Sequence, residues 1–210
     1  MIVSRTLSSC VLSVLLVACA PEDRADAPDT TATAATTPAA APGETAPATP
    51  ASTDEQKIAE AMSAAPDSIA RNAAIMDWPQ TEGGEFRQLR AGTNEWACFP
   101  TMPNVPASAG RAPMCLDPVF QEWGAAHAAK RAPNTRAVGL AYMLRGDAGT
   151  SNTDPFSMDS TADNNWVRVG PHVMIVAPIS TLAALSDRPG PAPWVMWKGT
   201  PYAHIMVPVR

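Results

Sequence analysis

Basic residues are scarce in this chain. There are 15 Lys and Arg against 20 Asp and Glu, a formal net charge of −5. No basic stripe occurs, and a nucleic-acid partner needs one to neutralise its phosphates, so that class is excluded. No Gly-x-Ser-x-Gly, His-Glu-x-x-His, Ser-x-x-Lys or phosphate-cradling glycine loop is present. The standard serine-hydrolase, zinc-protease and nucleotide-binding motifs are thereby absent. The first apolar run, Thr6 to Val17, stops at 12 residues. A membrane-spanning helix needs roughly 20.

A second shortage divides the chain. From residue 20 to residue 53 there is no Val, Ile, Leu, Met or aromatic residue, and Ala, Thr and Pro fill 26 of the 34 positions. Such a segment cannot offset its ordering entropy by burying apolar surface and is expected to stay disordered. As a flexible chain it would average about 30–35 Å end to end, more with its prolines. It reads as a tether. Residues 54–210 hold all six Trp and suffice for one domain with a core of its own.

The start of the chain has the zones of an export signal. A short stretch with one positive charge, Arg5, precedes the apolar run, which ends in Leu16-Val17-Ala18-Cys19. The run fits the apolar region of a secretory leader, whose cleavage site needs small residues. The last four residues resemble the bacterial lipobox. The resemblance implies cleavage after residue 18, so that Cys19 becomes a lipid-bearing N-terminus and the partner is the membrane. Two or more acyl chains anchor stably where one does not. Ala20 after the cysteine implies the outer membrane if the cell is Gram-negative. The plainer alternatives are an ordinary secretory leader cut nearby or an uncleaved anchor. Without the leader the count is 14 basic against 20 acidic residues, a net of −6.

Within the domain, Ile58, Ala61, Met62 and Ala65 recur at helical spacing, which predicts a helix over 55–65. A second is expected from 67 to 74. Residues 86–90 and 95–99 read as strands joined by Ala91-Gly92-Thr93-Asn94. Asp117-Pro118 is a helix start, with Asp as N-cap and Pro in the first turn. That helix should run to about Arg131 and place Phe120, Trp123 and His127 on one side. Strands are expected at 137–144, 166–169, 172–177, 193–197 and 202–207. Gly170-Pro171 and Lys198-Gly199-Thr200-Pro201 are turn signals that imply hairpins. Ser180 reads as the cap of a short helix. The expected class is α+β, with N-terminal helices followed by a mainly antiparallel sheet built from hairpins. Cys98 and Cys115 are the only thiols left once Cys10 leaves with the leader and Cys19 is lipidated. They are read as one disulfide.

Chemistry is thinly marked. Asn152, Asp154, Asp159, Asp163 and Asn164 make an oxygen-rich loop without EF-hand spacing, and Asx turns account for it. His172-Val173-Met174 and His204-Ile205-Met206 echo each other. Residues i and i+2 of a strand share a face, and imidazole with thioether suits Cu(I). The alternative is that Met fills space in a sheet core. Gly92 to Cys98, Ser151 to Phe156, Gly170 to Met174 and Trp197 to His204 together resemble a group of uncharacterised exported bacterial proteins, which supplies no mechanism.

The expected function is therefore a membrane-anchored cell-envelope lipoprotein with a non-enzymatic ligand- or partner-binding domain and no cofactor. The alternatives are a small envelope hydrolase using one of the three His, or a copper-binding domain using His172, Met174, His204 and Met206. The lipidation expectation is direct to test. Cys19→Ser should move the protein out of the membrane fraction and abolish incorporation of labelled palmitate. A variant that stays membrane-bound, beside a wild type that takes up no label, would contradict it.

Overall fold

A computed structural model describes residues 52–81 and 83–209. The expected leader, Cys19 and the tether up to residue 51 lie outside the described residues. Among these residues are four α-helices and ten strands, eight of them in one sheet. None of the helices is long and apolar enough to cross a membrane.

Helix α1 spans Asp54–Met62 and starts with a reciprocal cap. Gln56 N–H donates to Thr53 Oγ1 at 3.2 Å, and Thr53 N–H donates to Gln56 Oε1 at 2.8 Å. Helix α2, Asp67–Ala70, stops four residues short of the expected end. The Arg90 guanidinium takes the carbonyls of Ala70 and Ala73 at 2.6 and 2.9 Å. The chain then extends into β1, Ala74–Asp77, which the sequence reading did not foresee.

Strands β2 (Arg87–Arg90) and β3 (Ala97–Phe99) were expected to be joined directly by the turn at 91–94. Instead β1 lies between them, antiparallel to β2 and parallel to β3. The turn docks elsewhere: the N–H groups of Thr93 and Asn94 both donate to the Asn72 carbonyl, at 2.7 and 3.1 Å. That contact holds the chain just before β1 against the turn.

Strand β4, Met114–Leu116, pairs with β3 so that Cys98 and Cys115 sit directly opposite each other. They form the expected disulfide, with Cα atoms 4.0 Å apart. Helix α3, Pro118–Ala128, starts as expected. Asp117 Oδ1 accepts from Phe120 N–H at 2.7 Å, while its Oδ2 accepts from Leu140 N–H at 2.7 Å. One carboxylate thus caps the helix and pins it to β5, Gly139–Met143. The helix ends before Arg131 because Lys130 turns left-handed (φ 52°) and Arg131 N–H closes back on Ala126 O at 2.9 Å.

Strands β6 (Thr150–Ser151) and β7 (Trp166–Val167) form a separate pair. The hairpin expected across Gly170-Pro171 is therefore not made. Asp147 holds the chain just past β7 instead: its N–H donates to Val169 O at 2.9 Å, and its carboxylate accepts from Val169 N–H at 2.9 Å. Strand β8, His172–Val176, pairs with β5 and β10. Helix α4, Ile179–Leu182, is entered from Pro178, and Ser180 does not cap it. Strands β9 (Trp194–Met196) and β10 (His204–Pro208) make the expected hairpin.

The sheet order is β2-β1-β3-β4-β5-β8-β10-β9, antiparallel except for β1 with β3. Helices are interleaved with strands rather than gathered ahead of them. Alternation gives the sheet two apolar faces. On one, Ala61, Ala64 and Ala65 lie over Ile75, Cys98 and Cys115. Lys57 of α1 reaches the buried Asp77 at 2.7 Å there. On the other, Phe120 and Trp123 of α3 pack with Leu116, Ala141, Val176, Trp194 and Met206. Gly139 admits that helix: a Cβ there would come within 2.8 Å of Val119 and Val176 side chains.

The disulfide joins cysteines 17 positions apart in the sequence. A Cys98→Ala, Cys115→Ala double variant should lose about 3 kcal/mol in denaturant titration. Non-reducing peptide mapping of wild type should recover the two cysteines linked. Free thiols at both positions would contradict the pairing.

Candidate functional site

The face beneath α3 gathers the side chains that the echo singled out. Strands β8 and β10 are neighbours, and Met206 is directly opposite Met174. Period-two alternation puts His172, Met174, His204 and Met206 on this one face. They do not meet at one point. His172 is opposite Pro208, four residues along β10 from His204. The histidines stand at diagonal corners, separated by on the order of 13 Å of strand. The directly facing pair that one shared ion asks for is not formed.

Each histidine has a different thioether opposite it. Met143 of β5 faces His172, and Met196 of β9 faces His204. The sequence reading missed both methionines. Each lay within an expected strand, but nothing local says which strands become neighbours.

The backbone clasp on the two histidines is the same. His172 Nδ1–H donates to Gly170 O at 2.7 Å, and His204 Nδ1–H donates to Tyr202 O at 3.0 Å. A carbonyl two residues back fixes the tautomer and leaves Nε2 as a bare lone pair. Both Nε2 atoms are fully buried and have no hydrogen-bond partner among the described residues, and the same holds for Trp123 Nε1. An unsatisfied buried polar atom costs roughly 1–3 kcal/mol. Among the described residues no three His, Cys, Asp or Glu side chains gather.

Burial depresses both imidazoles. His204 is pushed down to about 4, chiefly by desolvation and further by repulsion from His172 and His127. His172 is lowered by desolvation, against the pull of the Gly170 carbonyl and the Asp147 charge. Asp147 is itself raised by burial, although the Val169 and Gly149 amides hold its charge.

His127 lies at the mouth of this region in a stack of rings. Its plane is within 9° of Trp123 and 5° of Trp197, with centroids 5.6 and 5.3 Å away. Phe156 lies over it at 5.1 Å, and Tyr202 stands edge-on at 5.2 Å. Its Nε2–H donates to Pro155 O at 2.9 Å. Burial lowers this imidazole too, against that carbonyl. Trp197 adopts φ 55°, a left-handed conformation that costs a bulky residue on the order of 1–3 kcal/mol. It is held there by its N–H on Asn152 O at 3.0 Å and its indole N–H on Ser151 O at 2.7 Å.

The oxygen-rich loop spends its polar groups on itself. Ser151 Oγ donates to Asn164 O at 2.7 Å and accepts from Asp154 N–H at 2.8 Å. Asn164 Nδ2 donates to Ser157 Oγ and Asp159 O, and Asp154 accepts from Phe156 N–H. Beside it an open cleft of about 450 Å³ is lined by Asn152, Asn165, Trp166, Asp187 and Arg188. Gly149 makes room for the indole: a Cβ there would lie 2.5 Å from Trp166 Nε1. No known protein family, curated protein or solved structure matches this chain.

The buried imidazoles make stability depend on pH. The folded pKa of His204 lies below the unfolded value of 6.5, so protons favour the unfolded chain. Its contribution is complete above pH 6.5 and is lost as pH falls towards 4. His127 and His172 act in the same direction, and Asp147 opposes them. Metal-free protein should lose roughly 2–3 kcal/mol between pH 7 and pH 4.5 through His204. Urea titrations of wild type and His204→Leu measure this. A wild type whose stability is flat across that window, or a variant with an unchanged slope, would contradict the assignment.

Proposed function

We propose that this chain is a lipid-anchored protein of the cell envelope whose folded domain binds a ligand or partner rather than turning one over. The lipobox at residues 16–19 and the spacer composition up to residue 53 support the anchored half of the reading. Ala20 supports the outer membrane in a Gram-negative cell.

The observation that carries binding over catalysis is how the histidines are spent. Among the described residues each one donates a ring N–H to a backbone carbonyl, and none hydrogen-bonds to a hydroxyl or a carboxylate. A hydrolase needs a nucleophile in hydrogen-bond reach of its base. Ser151, a fully buried serine whose carbonyl accepts from the Trp197 indole, has its hydroxyl tied into the loop. The open cleft offers the complementary feature, one indole flanked by amides and an exposed guanidinium. That lining suits a small polar ligand with one flat apolar side.

Two measurements decide between the readings. Wild type should not hydrolyse an activated ester such as p-nitrophenyl acetate faster than the His127→Ala, His172→Ala and His204→Ala variants. A 100-fold loss in any one of them would establish the hydrolase instead. In a tryptophan-fluorescence screen of envelope sugars and short peptides, a saturable change should appear in wild type and weaken at least tenfold in Trp166→Ala. A screen in which neither protein responds would count against the cleft.

A further inference from the structure

We propose that the face beneath α3 carries two separate sites for Cu(I), one made by His172 with Met143 and Met174, the other by His204 with Met196 and Met206. The argument rests on three features that recur at both places. The Nδ1–H of each histidine is clasped by the carbonyl two residues back, which presents Nε2 as the free donor atom. That Nε2 is buried without a partner in both, and each histidine is about 1% exposed. Each has a methionine two residues on along its own strand and another directly across the sheet.

Packing alone explains less. A histidine that merely filled the core would leave its second nitrogen unsatisfied at a cost that Leu or Phe would avoid, and buried polar exceptions call for a reason. Here the same exception is made twice with the same backbone clasp. A clasped Nδ1–H with a free Nε2 is also the arrangement by which proteins orient a metal-binding imidazole. One nitrogen and two thioethers form a neutral, soft set. It suits Cu(I), and at His204 it offers a harder ion such as Mg²⁺ or Ca²⁺ none of the oxygens those ions take, while at His172 the buried Asp147 carboxylate is near enough to add one negative charge to the surroundings.

The two sites are not equivalent in access. Met174 is only partly buried whereas Met196 and Met206 are buried, so the His172 site is the less enclosed of the two. His204 lies beneath Trp123 and Trp197, whose rings stand edge-on to it with centroids at 5.3 and 5.0 Å. The His172 site therefore fills first. Neither depends on the cleft at Trp166 or on lipid attachment.

The test is an anaerobic titration of the full chain with Cu(I) against a chromogenic Cu(I) chelator. Wild type should withhold two equivalents, in a fast and a slow phase. The volume-conserving pair Met143→Leu, Met174→Leu should lose the fast equivalent alone, and Met196→Leu, Met206→Leu the slow one alone. X-ray absorption should show one nitrogen and two sulfurs around each copper. Trp166→Ala and His127→Ala should keep both equivalents, so a failure of the cleft is read separately. No competition by wild type would overturn the proposal. So would a single equivalent lost in both methionine pairs, or two equivalents retained in all variants.

Discussion

The register shared by β5, β8, β10 and β9 governs the molecule. Ala141, Met174, Met206 and Trp194 form one row across the four strands. Because side chains alternate, a slip of one residue would carry both histidines and all four methionines to the opposite face. Everything said about imidazole burial, tautomer and neighbouring sulfur presupposes that row. Covering it with α3 depends on Gly139 and on the two-sided carboxylate of Asp117, which joins helix start to strand.

The same alternation leaves the reverse side unevenly covered. Leu140, Ile175 and Ile205 form one row there, and Tyr142, Val173 and Val207 the next. All six are half-buried. Helix α1 lies over the disulfide, and α4 packs through Leu182 on Val195 and Ala203. The polar and soft side chains are thus on the better sealed face, with the aliphatic ones on the more open face. In a core assembled only for stability the reverse would be expected, since burying an unpaired polar atom costs more than half-exposing a Val or Ile.

What could be read from the sequence was what short-range chemistry decides. The N-cap at Asp117, the β9–β10 hairpin, the disulfide and the common face of the His-x-Met pairs all follow from residues a few positions apart or from elimination among four cysteines. What could not be read was partner choice. Strand β4 is three residues long between prolines and β6 only two, so neither carries a periodic signal. Strand β7 pairs with β6 rather than across the Gly-Pro turn, and the Asp147 carboxylate, some twenty residues earlier, holds the chain just past it. The methionines opposite the histidines were hidden for the same reason. Their roles depend on strands brought together from distant parts of the chain.

The position of the disulfide beneath α1 sets an order of events. Both cysteines are fully buried, with Ala61, Ala64 and Ala65 packed over them. Thiol–disulfide exchange needs an attacking sulfur in line with the bond, so access controls its rate. Oxidation must then precede the seating of α1, and the helix acts as a cap on a finished covalent joint. Conversely, a reductant reaches the bond only when this cover, α1 and the residues after it, opens. The rate of reduction in otherwise native conditions is thus a clock for the local opening of that cover.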